Sequence, residues 1–196
     1  MSALELALRR VVQLLSDAGV PFALVGGLAV SVRVEPRFTR DADVAVAAAN
    51  DAEAEAVIGR LLAAGCRAIA TVEQVATGRL ATVRLLVGSA PEGPVVDLLF
   101  ASSGIEAEVV ADAELLEVLD GVRIPVATTA HLIALKLLSR DDERRPQDLM
   151  DLRGLIGQAA GPDMARVRDC IDLITSRGYH RGRDLAAELQ RVHPAG

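Results

Sequence analysis

Val25-Gly26-Gly27-Leu28-Ala29 and, with 13 residues between its glycine pair and the first aspartate, Asp41-Ala42-Asp43-Val44-Ala45-Val46 are the stretches on which the reading of this chain turns. Phe22 to Val25 is a short apolar run that predicts a buried strand, broken by Gly26-Gly27. Leu28 to Val34 can then wind into a short helix. A glycine pair after a buried strand lets backbone N–H groups approach a phosphate at a helix N-terminus. Alone, such a dipeptide is usually only a turn. Asp41 to Ala47 alternates like a strand. Side chains two apart on a strand share a face, with Cα atoms about 7 Å apart. Two carboxylates at that separation repel by roughly 2 kcal/mol at an effective dielectric of 20. A fold gains nothing from this unless a cation lies between them. By pattern alone, Asp-x-Asp at a strand edge is more often solvated surface.

Asp97 is the third acid of interest. It is the lone charge in Val95-Val96-Asp97-Leu98-Leu99-Phe100, where an unpaired carboxylate is costly. Three acids from two strands, all oxygen donors, suit Mg²⁺. Asp97 could instead cap a turn or pair with an arginine such as Arg84.

The surrounding pattern predicts a mixed α/β part followed by helices. Ser2 to Ala18 carries Leu4, Leu8, Val11, Val12 and Leu15 on one helical stripe. Glu35-Pro36-Arg37 reads as a loop. Asn50 with Glu53 resembles a capping box for a helix to about Ala64. Arg67 to Thr71, Leu80 to Val87 and Pro94 to Phe100 read as strands, with a turn from Ser89 to Gly93. Asp120-Gly121 between two apolar runs signals a hairpin. Thr128 or Thr129 caps a helix to Ser139, and Pro146 opens another to about Gln158. Met164 to Ser176 and Arg183 to Val192 predict two more. The expected organisation is an α+β core over 1–127 and a helical region over 128–196.

Composition narrows the function classes. The 196 residues are 51% hydrophobic, enough for a sizeable core. Aromatics are only 2%, against a base-stacking platform for single strands. A net charge of −6 argues against a globally basic nucleic-acid binder. Asp41 to Asp120 holds 14 acids and 4 bases, so basic residues concentrate in the flanks. Arg33, Arg37 and Arg40 lead into the acidic strand. Arg166, Arg168, Arg177, Arg181 and Arg183 form a second candidate patch. The longest apolar stretch, Val20 to Val32, has 13 residues, whereas a membrane span needs about 20. Cys66 and Cys170 match no metal or redox spacing, which favours a reducing cytoplasm. His131, His180 and His193 cluster with no cysteine and read as structural or surface residues. Lys136 is the sole lysine beside 20 arginines. On an apolar helix a lysine usually lays its stem on the surface with its head in water. In a chain that otherwise uses arginine throughout, a compact ammonium aimed at a triphosphate gains weight.

Taken together, the glycine pair, the Asp-x-Asp and the later strand Asp resemble the nucleotidyltransferase superfamily. Val25 to Ala29 followed by Arg37-Phe38-Thr39-Arg40-Asp41-Ala42-Asp43 is similar to the AbiE-type toxin branch of toxin–antitoxin systems, including the MenT-like group. In that branch a helical Lys precedes a Lys-Asp-x-x-Asp-like stretch. Here Leu132-Ile133-Ala134-Leu135-Lys136 precedes Gln147-Asp148-Leu149-Met150-Asp151-Leu152, with Gln147 at a commonly basic position. The resemblance covers residues 20 to 158. It implies a nucleotidyltransferase-fold mixed sheet with flanking helices, followed by a C-terminal helical bundle. It implies an NTP whose phosphates lie near Gly26, Gly27, Arg40 and Lys136. Asp41 and Asp43 would hold Mg²⁺, and Asp97 would complete a second Mg²⁺ site. Asp151 would lie close to Lys136 or the nucleotide. Thr39 is implied as a site of regulatory phosphorylation. The implied acceptor is the 3′ end of tRNA, with pyrimidine nucleotides among the donors, a cognate antitoxin as partner and no membrane. The rivals are transfer to an aminoglycoside or a protein, and an inert binding module within a toxin–antitoxin pair.

Overall fold

The computed structural model describes residues 2–35, 39–88 and 93–193. Pro36 and Arg37 of the expected loop, and most of the expected 89–93 turn, lie outside the described residues.

Helix α1 (Ala3–Asp17) starts from a capping box in which Ser2 and Glu5 satisfy one another's backbone N–H groups. It buries Ala7, Leu8, Val11 and Leu15 along one stripe. Strand β1 (Phe22–Val25) is buried throughout and runs straight into α2 (Gly26–Arg33). The helix therefore begins at the first glycine, two residues earlier than the apolar run suggested. Next come β2 (Asp41–Val46), α3 (Asp51–Ala63, capped by Asn50), β3 (Arg67–Glu73), β4 (Leu80–Leu86) and β5 (Val95–Leu99). Helix α4 (Glu106–Ala111) precedes the hairpin of β6 (Glu114–Leu119) and β7 (Val122–Val126). Then follow α5 (Thr129–Ser139), α6 (Gln147–Gln158), α7 (Gly161–Ser176) and α8 (Leu185–Val192).

The seven strands form one mixed sheet, ordered β3-β4-β5-β2-β1-β7-β6. β2 lies between antiparallel β1 and parallel β5. Its alternation splits function from packing. Ala42, Val44 and Val46 are fully buried, while Asp41 and Asp43 stand on the other face. Helix α1 packs on β2 and β5, and α2 packs on β1, β2, α5 and α6. One hydrophobic cluster runs from Ala7 to Leu189, so the core is continuous across residue 127. Helix α5 buries Ala130, Leu132, Ile133, Ala134, Leu137 and Leu138 in it. Among the described residues, no helix is long and apolar enough to cross a membrane.

Candidate active site

Register places four side chains in one row across the sheet. Val25 of β1 pairs with Asp43 of β2, Asp43 with Asp97 of β5, and Asp97 with Arg84 of β4. Register partners point to the same face, so Asp97 shares the face of Asp41 and Asp43. The three acids that the sequence singled out therefore converge.

Asp97 is also claimed by arginine. Arg84 donates from Nε to Oδ1 at 2.8 Å and from Nη2 to Oδ2 at 2.6 Å. The same Nη2 lies 3.7 Å from Asp41. Asp97 is thus the partner of Arg84 that the sequence offered as the alternative, on the same sheet face as Asp41 and Asp43. The buried carboxylate is satisfied by a bidentate fork, the strongest charge-assisted geometry available to it.

Asp43 has no such fork. Burial, then the neighbouring Asp41 and Asp97, push its carboxyl from 3.8 up to about 7, against the pull of Lys136 and Arg84. Gly26 explains how close the backbone comes. Its φ is +65°, and a Cβ there would stand 1.9 Å from Asp43 Oδ2. Only glycine fits, and the N-terminus of α2, which has no side-chain cap, opens beside the carboxylate.

Across the cleft stands Lys136. It is buried on α5, with Nζ 2.7 Å from Asp148 and 2.8 Å from Asp151, both buried on α6. Arg145 lies 3.3 Å from the second oxygen of Asp148. The Lys136 ammonium thus meets two carboxylates out of water, with the half-exposed Arg145 guanidinium at the edge, and removing the lysine would leave buried negative charge poorly compensated. Lys136 also lines the cleft with Val25, Gly26, Gly27 and Asp43. The surface-lysine reading is overturned, since the head is held inside and not in water. Asp148 stood in the Asp-x-x-Asp stretch of the sequence reading, on one helical face with Asp151, but was given no role in the site.

The cleft floor comes from an element that the sequence reading missed. Glu106 accepts from the backbone N–H and hydroxyl of Ser103, at 2.6 and 2.8 Å, and from Gly104 N–H at 3.0 Å. This braces the loop carrying Ser102 and Ser103, which line the cleft. Ser103-Gly104-Ile105-Glu106 matches a Ser-x-x-Glu pattern, but α4 begins at Glu106 with Ile105 at its uncapped N-terminus, so the pattern marks the braced loop and not the helix start.

The other candidates divide. Arg40 is exposed, and Arg37 lies outside the described residues. Thr39 donates its hydroxyl to the Asp41 carbonyl at 3.2 Å. The second arginine patch is largely spent on internal pairs: Arg166 with Asp112, Arg177 with Glu108 and Arg183 with Glu188. It therefore supplies less free charge than its sequence suggested. His131 is buried and bonds Thr128 through Nδ1 at 2.9 Å, a structural role. Burial raises both cysteine thiols, Cys170 to about 11, so neither offers a thiolate.

The donor set fits a hard divalent cation in one particular way. Among the described residues, no three His, Cys, Asp or Glu side chains form a ready cage. Asp41 and Asp43 do offer adjacent oxygens on one face, and Asp43 carries a carboxylate that burial leaves short of positive charge. Mg²⁺ is typically held by one or two carboxylates and completed by substrate phosphates.

A family model described as the nucleotidyl transferase AbiEii toxin, Type IV TA system, matches residues 9–194. The chain belongs to the AbiEii nucleotidyl transferase toxin family. Solved structures carry the same fold. The solution structure of the antibiotic-resistance factor ANT(2″)-Ia is 17% identical, with 95% of each chain covered and a TM-score of 0.56. The crystal structure of ANT(2″)-Ia with adenylyl-2″-tobramycin is 15% identical, with 87% of this chain and 95% of that one covered and a TM-score of 0.54. No curated protein matches the chain. The α+β architecture of this AbiEii-family chain, a mixed seven-stranded sheet with flanking helices, agrees with the fold its sequence resemblance implied.

Proposed function

We propose that this AbiEii-family chain transfers a nucleoside monophosphate from an NTP to the 3′ acceptor end of tRNA. The observation that carries the reading is the cleft itself. Asp43, on the same sheet face as Asp41 and Asp97, lines it beside the N-terminus of α2, and the buried Lys136 lines it too. The cleft encloses about 160 Å³, less than the roughly 300 Å³ of a small-ligand pocket. It suits phosphates, with the nucleoside outside.

Asp41 and Asp43 would hold Mg²⁺, which when bound supplies positive charge to the triphosphate oxygens. The N–H groups of Gly26 and Gly27 would meet the phosphates, and Arg40, at the head of β2, would add charge at the mouth. Lys136, fixed by Asp148 and Asp151, presents a preorganised ammonium that need not reorient as charge builds. Arg84 meets Asp97 and Asp41 on the far side of the trio, so an Asp97 site for a second ion requires the guanidinium to move. In the step, the acceptor hydroxyl oxygen bonds to the α-phosphorus. The bond from that phosphorus to the pyrophosphate oxygen breaks, and the hydroxyl proton passes to the acidic cluster. Blocking the acceptor end would stop aminoacylation, which suits a toxin held in check by a cognate antitoxin. A phosphate on Thr39 would add nearly two negative charges beside Asp41 and oppose the triphosphate.

Transfer to an aminoglycoside is the second reading, favoured by the likeness in fold to ANT(2″)-Ia. The space opening off the cleft disfavours it, because a polycation needs acids and the lining there has Glu73 alone, opposed by Arg181. The test supplies each labelled NTP in turn with Mg²⁺ and tRNA, total protein or an aminoglycoside. Label is expected on tRNA and absent with Asp43→Ala. Label on drug or protein instead would overturn the reading.

A further inference from the structure

A second cavity opens off the nucleotide cleft, between the β3–β4 turn and the loop joining α7 to α8. At about 630 Å³ it falls within the roughly 300–1,000 Å³ of small-ligand sites. Ser102 and Arg181 line both spaces.

Arg181 is unusual in two independent ways. Among the described residues it is the only non-glycine at positive φ, 55°. That conformation costs of order 1 kcal/mol and persists only where the surroundings hold it. The holding contacts are from Nη2 to the Ser102 carbonyl at 3.1 Å and to Ser102 Oγ at 3.2 Å. Ser102 in turn sits on the loop braced by Glu106.

The second feature is electrostatic. Burial is the largest cause of a lowered Arg181 pKa, Arg183 and Arg145 add to it, and Glu106 opposes it. Arg183 is neutralised by Glu188 and Arg145 faces Asp148. Arg181 forms no ion pair among the described residues. A guanidinium on a strained backbone, held by the neutral carbonyl and hydroxyl of Ser102 at the junction of two cavities, is placed for an anion. The wall beyond it is neutral apart from Glu73, with Gln74 and Thr82 offering polar groups and Val72 and Val75 apolar surface. Val75 is 99% exposed at the turn.

Resting on the proposed transfer to RNA, we propose that this cavity receives the 3′-terminal nucleotides of the RNA acceptor. Arg181 takes a phosphate of that strand, and the base lies against Val72 and Val75. The triphosphate keeps Gly26, Gly27 and Lys136. This assigns Arg181 to binding the acceptor and not to the chemistry.

The experiment measures binding of the full chain to a 5′-labelled single-stranded RNA with the tRNA 3′-end sequence, across a salt series, with NTP affinity in parallel. Arg181→Gly is expected to weaken RNA binding by about tenfold and reduce the salt slope by about one. NTP affinity should fall less than RNA affinity, because the triphosphate keeps Gly26, Gly27 and Lys136, and Tm should not fall, because glycine adopts this φ freely. Arg181→Lys should restore the slope, which a merely structural arginine would not require. Unchanged RNA affinity and slope in Arg181→Gly would overturn the proposal. So would a loss of NTP affinity with RNA binding intact, or a wild-type chain that does not bind the RNA. Arg181-dependent RNA binding without any label transfer would support the acceptor site and sink the proposed reaction instead.

Discussion

Asp43 carries the sharpest conflict between stability and chemistry in this chain. Its carboxyl is raised to about 7 chiefly by burial, so the folded state holds a proton that the unfolded chain releases near 3.8. A raised carboxylate pKa means that stability falls as pH climbs from about 4 to about 7 and stays low above. Without divalent cation, Asp43→Asn is therefore expected to be more stable than wild type at pH 8, by a few kcal/mol in order of magnitude, with no gain at pH 4. Thermal unfolding at the two pH values checks this. Equal stability at pH 8 would mean that water reaches the carboxylate freely. Lys136 shows the opposite balance. Lys136→Met leaves two buried carboxylates short of a partner and should cost about 3–5 kcal/mol, so its lost activity would prove little. Lys136→Arg keeps the charge pair but not the compact ammonium. It is expected to unfold near the wild-type midpoint while transfer drops by about 10²-fold. Full transfer in a stable Lys136→Arg would reduce the lysine to a structural ion pair. The two acids of Asp-x-Asp were legible as residues with shared orientation. The bidentate claim of Arg84 on Asp97 was legible only as an alternative, because register between β4 and β5 is not written locally.

Among the elements, α2 is defined by what its first residue lacks. Gly26→Ala would place a methyl 1.9 Å from Asp43 Oδ2 at a φ of +65°. The expected outcome is loss of transfer, with destabilisation of about 1–3 kcal/mol. Gly59, inside α3, has nothing within 4 Å of a built Cβ. Gly59→Ala should gain about 0.5–1 kcal/mol with transfer unchanged. Denaturant unfolding and the transfer assay on both variants test whether the glycine at 26 serves the site or only the turn. Strand and helix positions followed from periodicity and caps, as with Asn50 for α3 and Thr128 for α5. Helix α4 escaped because its six residues are too few for a 3.6-residue period to show.

For the whole molecule, the change from α/β to helix at residue 127 is a change of pattern inside a continuous core. Helix α5 contributes both to that core and, through Lys136, to the cleft. A chain ending at residue 127 is expected to show no cooperative unfolding transition, because β1 and α2 lose the apolar face that covers them. A sharp transition in that fragment would establish 1–127 as an independent domain. By itself the sequence determined the elements other than α4, the shared face of Asp41 and Asp43, and the oddity of a single lysine, since these depend on neighbours a few residues apart. Tertiary structure alone decided that Arg84 would fork onto Asp97, that Lys136 would be enclosed by Asp148 and Asp151, and that Arg181 would reach Ser102. Those contacts join residues 12 to 79 positions apart, and only the packing of a common core brings such groups within one another's reach.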